Sequence, residues 1–367
     1  SMIDTLTRIR RDLHRIPELD FDLPQTIDYV RTELESLGSD AEIFSPCKST
    51  VCAFFDFGSD ATTAIRSDMD ALPVREETGV PFRSTHEGCM HACGHDGHMA
   101  MVLGLAHRIA HDPEGIARNV LLVFQPAEET TGGANVVCKS GVFERYRVDR
   151  IFGFHLWPDL PKGAIASRSG ALLAACNEIT VTMNGVSSHI AKAAEGHDAL
   201  VAGAMFVHEM NIRMDKERSE PCLLKFGHMT SGTVRNAIAA TSVVEGSLRT
   251  FSLEKRQTLQ AAIKDIARKV ADAEGCTCTV DVSEGYPPVI NDAALFARTK
   301  ESIPELETIP EPLLIAEDFS HYQQHLPGVF LLLGTGTGIP LHASTFDFDE
   351  RVLEAGLSVY ERLVRIP

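Results

Sequence analysis

Nine consecutive residues, Met90-His91-Ala92-Cys93-Gly94-His95-Asp96-Gly97-His98, carry one thiol and three imidazoles. These are the side chains that bind borderline-soft metal ions best. Gly94 and Gly97 argue against a regular helix through the run, and on a helix Cys93 and His95 would point roughly 200° apart. An irregular loop lets both turn toward one ion. A Cys-x-His pair alone is a weak signal, so its weight depends on what the rest of the chain brings to it.

Short apolar runs at 50–57, 62–66, 119–124, 150–154 and 329–333 suit buried strands, and 2–16, 24–38 and 97–111 read as helices. This alternation predicts an α/β domain with a largely parallel sheet flanked by helices. Ligands of open α/β sheets sit beyond the carboxyl ends of the strands. Four strand ends deliver chemistry there: Ser67-Asp68-Met69-Asp70 after one, Pro126-Ala127-Glu128-Glu129 after the next, then His155, and a Gly-rich turn leading to His342. With Cys93 and His95, the residues Glu129, His155 and His342 make five candidate ligands. That is more than one tetrahedral zinc needs and suits two adjacent ions, with the thiolate able to bridge.

The doublet Glu128-Glu129 carries the mechanistic weight. Neighbouring side chains on extended backbone point opposite ways. At a kinked strand end one carboxylate can therefore bind metal while the other accepts a proton from water and passes it to a leaving amine, the division that hydrolysis requires. An isolated Glu-Glu would read only as two solvated acids ahead of a helix.

Length and charge bound the alternatives. The 367 residues favour two domains. The net charge of −17 argues against nucleic acid and anionic membrane surfaces as partners. No run approaches a membrane span of roughly 20 apolar residues, and the opening residues show no apolar signal core. Nine scattered cysteines do not form a disulfide framework, so a reducing cytoplasm is the expected home. Cys276-x-Cys278 is a weak metal signal.

From about Asn177 the rhythm changes. Strand 178–183, helix 199–214, strands 222–230 and 242–250, helix 253–274 and strand 277–283 give the order βαββαβ, a split-βαβ or ferredoxin-like unit. The expected organisation is a catalytic domain over 1–176 and 286–367, interrupted by an α+β domain over 177–285.

Several segments together closely resemble the M20 family of metallopeptidases, in its aminoacylase and amidohydrolase branch, which includes hippurate and indole-acetyl-amino-acid hydrolases. They are Arg66-Ser-Asp-Met-Asp-Ala-Leu-Pro73, the 90–98 run, Gln125-Pro-Ala-Glu-Glu129, Phe154-His155, Ala316-Glu-Asp-Phe-Ser320 and Leu341-His342, with Ser231-Gly-Thr-Val-Arg-Asn236 and Gly285-Tyr-Pro-Pro-Val-Ile-Asn291 in and after the insert. The resemblance spans essentially the whole chain. It implies a phosphorylase/hydrolase-like zinc-peptidase fold with an inserted lid that usually mediates homodimerisation. It also implies two divalent ions per subunit (Zn²⁺ or Mn²⁺, with Co²⁺ and Ni²⁺ as further options) held by Cys93, His95, Glu129, His155 and His342. Glu128 becomes the general base, and His189 the histidine that polarises the scissile carbonyl, often from the partner subunit. Asp68 is expected to orient a ligand from behind the site. Arg235 and Asn236 are candidates for the substrate carboxylate, the alternative being a surface turn of the lid.

The sequence departs from the family around His189. Serines precede it where glycines are usual, and Ile190-Ala-Lys-Ala-Ala-Glu195 follows where small residues and a proline are usual. The expected activity is hydrolysis of N-acyl-L-amino acids. A dipeptidase or carboxypeptidase on the same scaffold is the alternative within hydrolysis, and a catalytically silent metal-binding protein the alternative outside it.

Overall fold

The computed structural model describes residues 1–367 and divides into two units. The first comprises 1–172, 289–311 and 318–367; the second comprises 173–288 together with 312–317. The short segment Pro312–Glu317, expected within the catalytic domain, thus packs with the second unit.

In chain order the first unit opens with helices α1 (Met2–His14) and α2 (Pro24–Glu35) and strands β1 (Glu42–Phe44), β2 (Val51–Phe55) and β3 (Thr62–Asp68). Then come α3 (His95–His111), β4 (Asn119–Gln125), the short helices α4 (Gly133–Lys139) and α5 (Val142–Arg145), β5 (Val148–Trp157), β6 (Ile165–Ser167) and β7 (Gly170–Leu173). The second unit supplies β8 (Ala175–Asn184), a 3₁₀ segment (Ile190–Glu195), α6 (Ala199–Asp215), β9 (Leu223–Ser231), β10 (Thr241–Thr250), α7 (Leu253–Ala273) and β11 (Thr277–Val282). The first resumes with β12 (Val289–Asn291), α8 (Ala293–Ser302), β13 (Glu307–Thr308), α9 (Ser320–Gln323), β14 (Gly328–Gly334) and α10 (Val352–Leu363).

The large sheet has the order β1-β2-β4-β3-β5-β14-β6-β13. Its central four strands, β4, β3, β5 and β14, pair in parallel. They are buried on both faces, which is why their sequences read as continuous apolar runs rather than alternating ones. Parallel pairing sends the carboxyl ends of these strands to one edge, where Asp68, Gln125 and the end of β5 lie. Two elements differ from the sequence reading. β5 runs on to Trp157, so His155 is a strand residue. Helix α3 starts at His95, with Gly97 inside it rather than breaking it. A Cβ on Gly97 would come within 2.7 Å of Phe348 and 3.1 Å of Leu156. This glycine therefore serves close packing, not chain reversal.

The second unit is a four-stranded antiparallel sheet of order β11-β8-β10-β9. That is the arrangement a βαββαβ chain forms when its two halves interleave. Its core joins the inward residues of β8 and β10 to Phe206 and Met210 of α6 and to Leu259, Ile263 and Ala267 of α7.

Candidate metal centre

Asp70, two residues past the end of β3, accepts the backbone N–H groups of Glu128 and Glu129 on its two oxygens, both at 3.0 Å. One side chain thus fixes the doublet. Ahead of it Ala127 takes a left-handed φ of 55°, and its carbonyl accepts the N–H groups of Gly132 and Gly133 at 3.0 and 3.2 Å. Gly133 is required there, because a Cβ would fall 1.9 Å from the carbonyl oxygen of Pro126.

The loop before α3 is tied to the other strand end by reciprocal Leu72–Met90 backbone bonds of 3.0 Å. Gly94 then turns the chain into α3 at φ 80°. His342 docks on the same loop, its N–H donating to the carbonyl of Ala92 at 2.8 Å. It does so at φ 71°, a conformation that costs a non-glycine residue on the order of 1–3 kcal/mol. Such strain is held where the surroundings demand the geometry.

All five ligands expected from the sequence converge. Cys93 Sγ lies 3.4 Å from His155 Nε2, and Glu129 Oε2 lies 3.2 Å from His342 Nε2. His95 Nε2 lies 3.6 Å from Glu129 Oε1, 3.2 Å from Asp68 Oδ2 and 3.9 Å from Glu128 Oε2. Cys93, Glu129 and His342 form one group of donor atoms within 4.8 Å of one another, and His95, Glu128 and Glu129 a second. Asp68, His95, His98 and His155 form a third.

Hydrogen bonds sort these imidazoles. His95 Nδ1 faces the carbonyl of Asp70 at 2.6 Å and His155 Nδ1 that of Leu156 at 2.7 Å. A carbonyl only accepts, so both Nδ1 atoms carry hydrogen and both Nε2 atoms turn to the cluster. His98 is different. Its Nε2 accepts the N–H of Leu156 at 3.0 Å, so its Nδ1 must donate to Asp68 Oδ1 at 2.7 Å. Both nitrogens are spent, and His98 is not available to a metal. His91 is buried but belongs to none of these groups.

The electrostatics call for a cation. Burial pulls the pKa of His95 down, but Asp68, Asp70 and Glu129 outweigh it and raise it to about 10. Burial opposes ionisation of Glu129, yet His342 and His95 hold it down at about 2. Asp68 is likewise held well below the carboxylate range against its own burial, by His95, His98 and Arg66. The Cys93 thiol is pushed up by burial and by Glu129 and Glu128, and burial beside His98 lowers His155 to about 3. Three buried polar atoms, Asp68 Oδ2, His95 Nε2 and Glu129 Oε1, have no hydrogen-bond partner. Leaving such atoms unpaired is costly unless a positive ion is shared among them. A thiol, imidazoles and carboxylates around those orphaned atoms fit a divalent transition-metal ion.

The remaining expected residues lie in the second unit. His189 is exposed at the start of the 3₁₀ segment, and its Nδ1 accepts the N–H of Ala191 at 3.1 Å. The segment pairs with 236–238: Ile190 N–H donates to the carbonyl of Asn236 at 2.9 Å and Ile238 N–H to that of Ser188 at 2.8 Å. Exposed Arg235 and Asn236 therefore share one edge with His189. All nine cysteines are free, and Cys276 and Cys278 join no metal-competent group. The roles of Asp70 and His98 are not visible in the sequence, because each depends on which backbone groups the fold brings opposite.

Comparison with known proteins agrees with this arrangement. The profile of peptidase family M20/M25/M40 matches residues 64–366. An uncharacterized hydrolase of Staphylococcus haemolyticus is 35% identical, over 99% of this chain and 98% of its own length. A dinuclear metal-binding peptidase of the M20 family from Bacillus subtilis is 31% identical with a TM-score of 0.88, over 100% of this chain and 98% of its own. An aminobenzoyl-glutamate utilization protein from Klebsiella pneumoniae shares the fold at 20% identity, with a TM-score of 0.70 over 99% of this chain and 95% of its own. With the metal-competent cluster at the strand ends, these likenesses establish that the chain belongs to peptidase family M20/M25/M40 and is a metal-dependent hydrolase.

Proposed function

We propose that the protein cleaves the amide bond of N-acyl-L-amino acids, releasing a carboxylic acid and a free amino acid. The observation that carries the reading is the convergence of Asp68 Oδ2, His95 Nε2 and Glu129 Oε1, buried and unpartnered, beside Cys93, His155 and His342. Cys93, His95, Glu129, His155 and His342 would hold two divalent ions. Once bound, these supply Lewis acidity that polarises the scissile carbonyl and lowers the pKa of water.

The chain's own groups do the rest. Glu128, held by Asp70 through its backbone and set apart from the Cys93–Glu129–His342 group, takes a proton from the attacking water and delivers it to the departing nitrogen. The water oxygen bonds to the acyl carbon as the C–N bond breaks. Because His189 Nδ1 accepts a backbone N–H, the neutral ring carries its proton on Nε2. That N–H is a donor for the carbonyl oxygen as charge develops on it. Arg235 offers a planar fork to the α-carboxylate, with Asn236 beside it. Zinc or manganese are the expected ions, the cytoplasm the expected compartment, and a homodimer the expected assembly.

The test is turnover by protein reconstituted with Zn²⁺, Mn²⁺ or Co²⁺ on acetyl-, benzoyl- and fatty-acyl amino acids and on simple dipeptides. Cleavage of an acyl-amino acid with the highest kcat/KM is the expected result. A preference for dipeptides would replace the reading with a peptidase, and no turnover on any substrate would leave a binding protein.

A further inference from the structure

We infer that Asp68 is a direct, sixth donor to the metal cluster, with Arg66 as the buried cation that aims it. The inference rests on the metal reading above and concerns a residue otherwise assigned only to orienting a ligand.

Asp68 is fully buried and its two oxygens have different fates. Oδ1 accepts the Nδ1–H of His98 at 2.7 Å, and His98 is locked in turn by the N–H of Leu156. Oδ2 makes no hydrogen bond and lies 3.2 Å from His95 Nε2, which makes none either. The two face each other as an ion pair when the ring is protonated; buried atoms of ligand type at that separation are also spaced as neighbouring donors of one ion. Donor atoms about 2.0–2.2 Å from a common ion at tetrahedral angles stand a little over 3 Å apart.

Elimination supports the same conclusion. In the group Asp68–His95–His98–His155, His98 has no nitrogen left to give. The donors that remain are Asp68 Oδ2, His95 Nε2 and His155 Nε2, with Cys93 Sγ 3.4 Å from the last. Of the carboxylates facing His95 Nε2, Asp68 Oδ2 at 3.2 Å is nearer than Glu129 Oε1 at 3.6 Å and Glu128 Oε2 at 3.9 Å.

Arg66 keeps the carboxylate from turning away. Its Nη1 stands 3.5 Å behind Oδ2. The guanidinium is anchored elsewhere, with Nε donating to Gln125 Oε1 at 2.8 Å and Nη2 to Asp318 Oδ1 at 2.6 Å. Asp318 is braced by Gln125 Nε2 at 2.7 Å and by the N–H of Ala134 at 3.0 Å. The guanidinium is thus anchored on Asp318 and Gln125 and meets Oδ2 at the longer distance of 3.5 Å.

The deciding measurement is a crystal structure of the wild-type protein loaded with Zn²⁺. We expect Asp68 Oδ2 at a bonding distance of roughly 2.0–2.2 Å from one ion. Ions held by the other five residues with Oδ2 more than about 3 Å away would overturn this inference alone. A protein that binds no ion would overturn the hydrolase centre itself. Solution work gives a second readout. Loss of affinity alone does not separate a ligand from a residue behind it, because outer partners also cost about 10–100-fold. The Co²⁺-loaded protein separates them through its visible absorption. Asp68→Asn is expected to shift the bands and leave one ion weakly held, while His98→Gln keeps two ions and nearly the wild-type spectrum. An unchanged spectrum and two tight ions in Asp68→Asn would refute direct ligation.

Discussion

At the scale of single residues, Glu128 and Glu129 show how neighbours divide a task. Glu129 lies in one donor group with Cys93 and His342, while Glu128 stands outside that group, beside His95 and in a buried carboxylate group with Asp68 and Glu317. Replacing Glu128 by Gln is expected to keep the metal content and lower kcat by at least ~10²-fold, the scale of general acid–base catalysis. Activity within a few-fold of wild type, with full metal by elemental analysis, would remove Glu128 from that role. A second expectation concerns pH. The Cys93 thiol is raised above its ordinary value and His95 is raised to about 10, so both hold protons at neutral pH without metal. Binding must displace those protons, and affinity therefore strengthens as pH rises. Chelator competition at pH 6 and pH 8 should show a tighter complex at the higher value, with proton release in calorimetry. A pH-independent constant would contradict this.

At the scale of elements, a buried ionic network pins the start of α3, the helix whose first residue is His95. Arg10 Nε and His14 Nδ1 of α1 both donate to Asp96 Oδ2, at 3.0 and 2.8 Å. His14 Nε2 donates to Glu76 at 3.0 Å, so the ring is doubly protonated. Burial works against that charge, but Asp96 and Glu76 raise the pKa of His14 from 6.5 to about 9. A raised folded value means the stabilisation is complete below about pH 6.5 and disappears as pH climbs through about 9. Its size is on the order of 3 kcal/mol. Thermal unfolding at pH 6 and pH 9.5 should show a larger gap between wild type and His14→Gln at the lower pH; equal gaps would exclude this linkage. Such anchoring was not legible from sequence, because His14 lies 82 positions before Asp96 and nothing in the 90–98 run points to it as a partner. The strands were legible where burial on both faces leaves a solid apolar run, as in 119–125 and 328–334. The three-residue strands β6 and β12 are too short to show any period. Gly97 misled because a helix tolerates glycine where neighbours press close, and only Phe348 and Leu156, far along the chain, reveal that pressure.

At the scale of the whole molecule, the second unit leaves apolar surface in the open. β9 is an edge strand paired only with β10, and its Met229 packs beside α6, where Leu200, Met205 and Ile212 are also exposed. An uncapped strand edge beside exposed apolar side chains suits pairing with a second copy. Light scattering of purified protein should report a dimer, and Met205→Asp with Ile212→Asp should convert it to a monomer. A wild-type monomer at micromolar concentration would refute this assembly. The order βαββαβ was readable here in part because β8 and β11 alternate in exposure along their length.

The interruption of the first unit by the second also bears on how the protein is made. Residues 173–288 close their sheet from one uninterrupted stretch, whereas the donors of the metal cluster run from Asp68 to His342. A nascent chain leaving the ribosome therefore presents the inserted sheet complete while the first unit still lacks β14 and the His342 loop. Stable capture of metal at the cluster is thereby postponed until the chain through His342 has been made, well after the inserted sheet is complete.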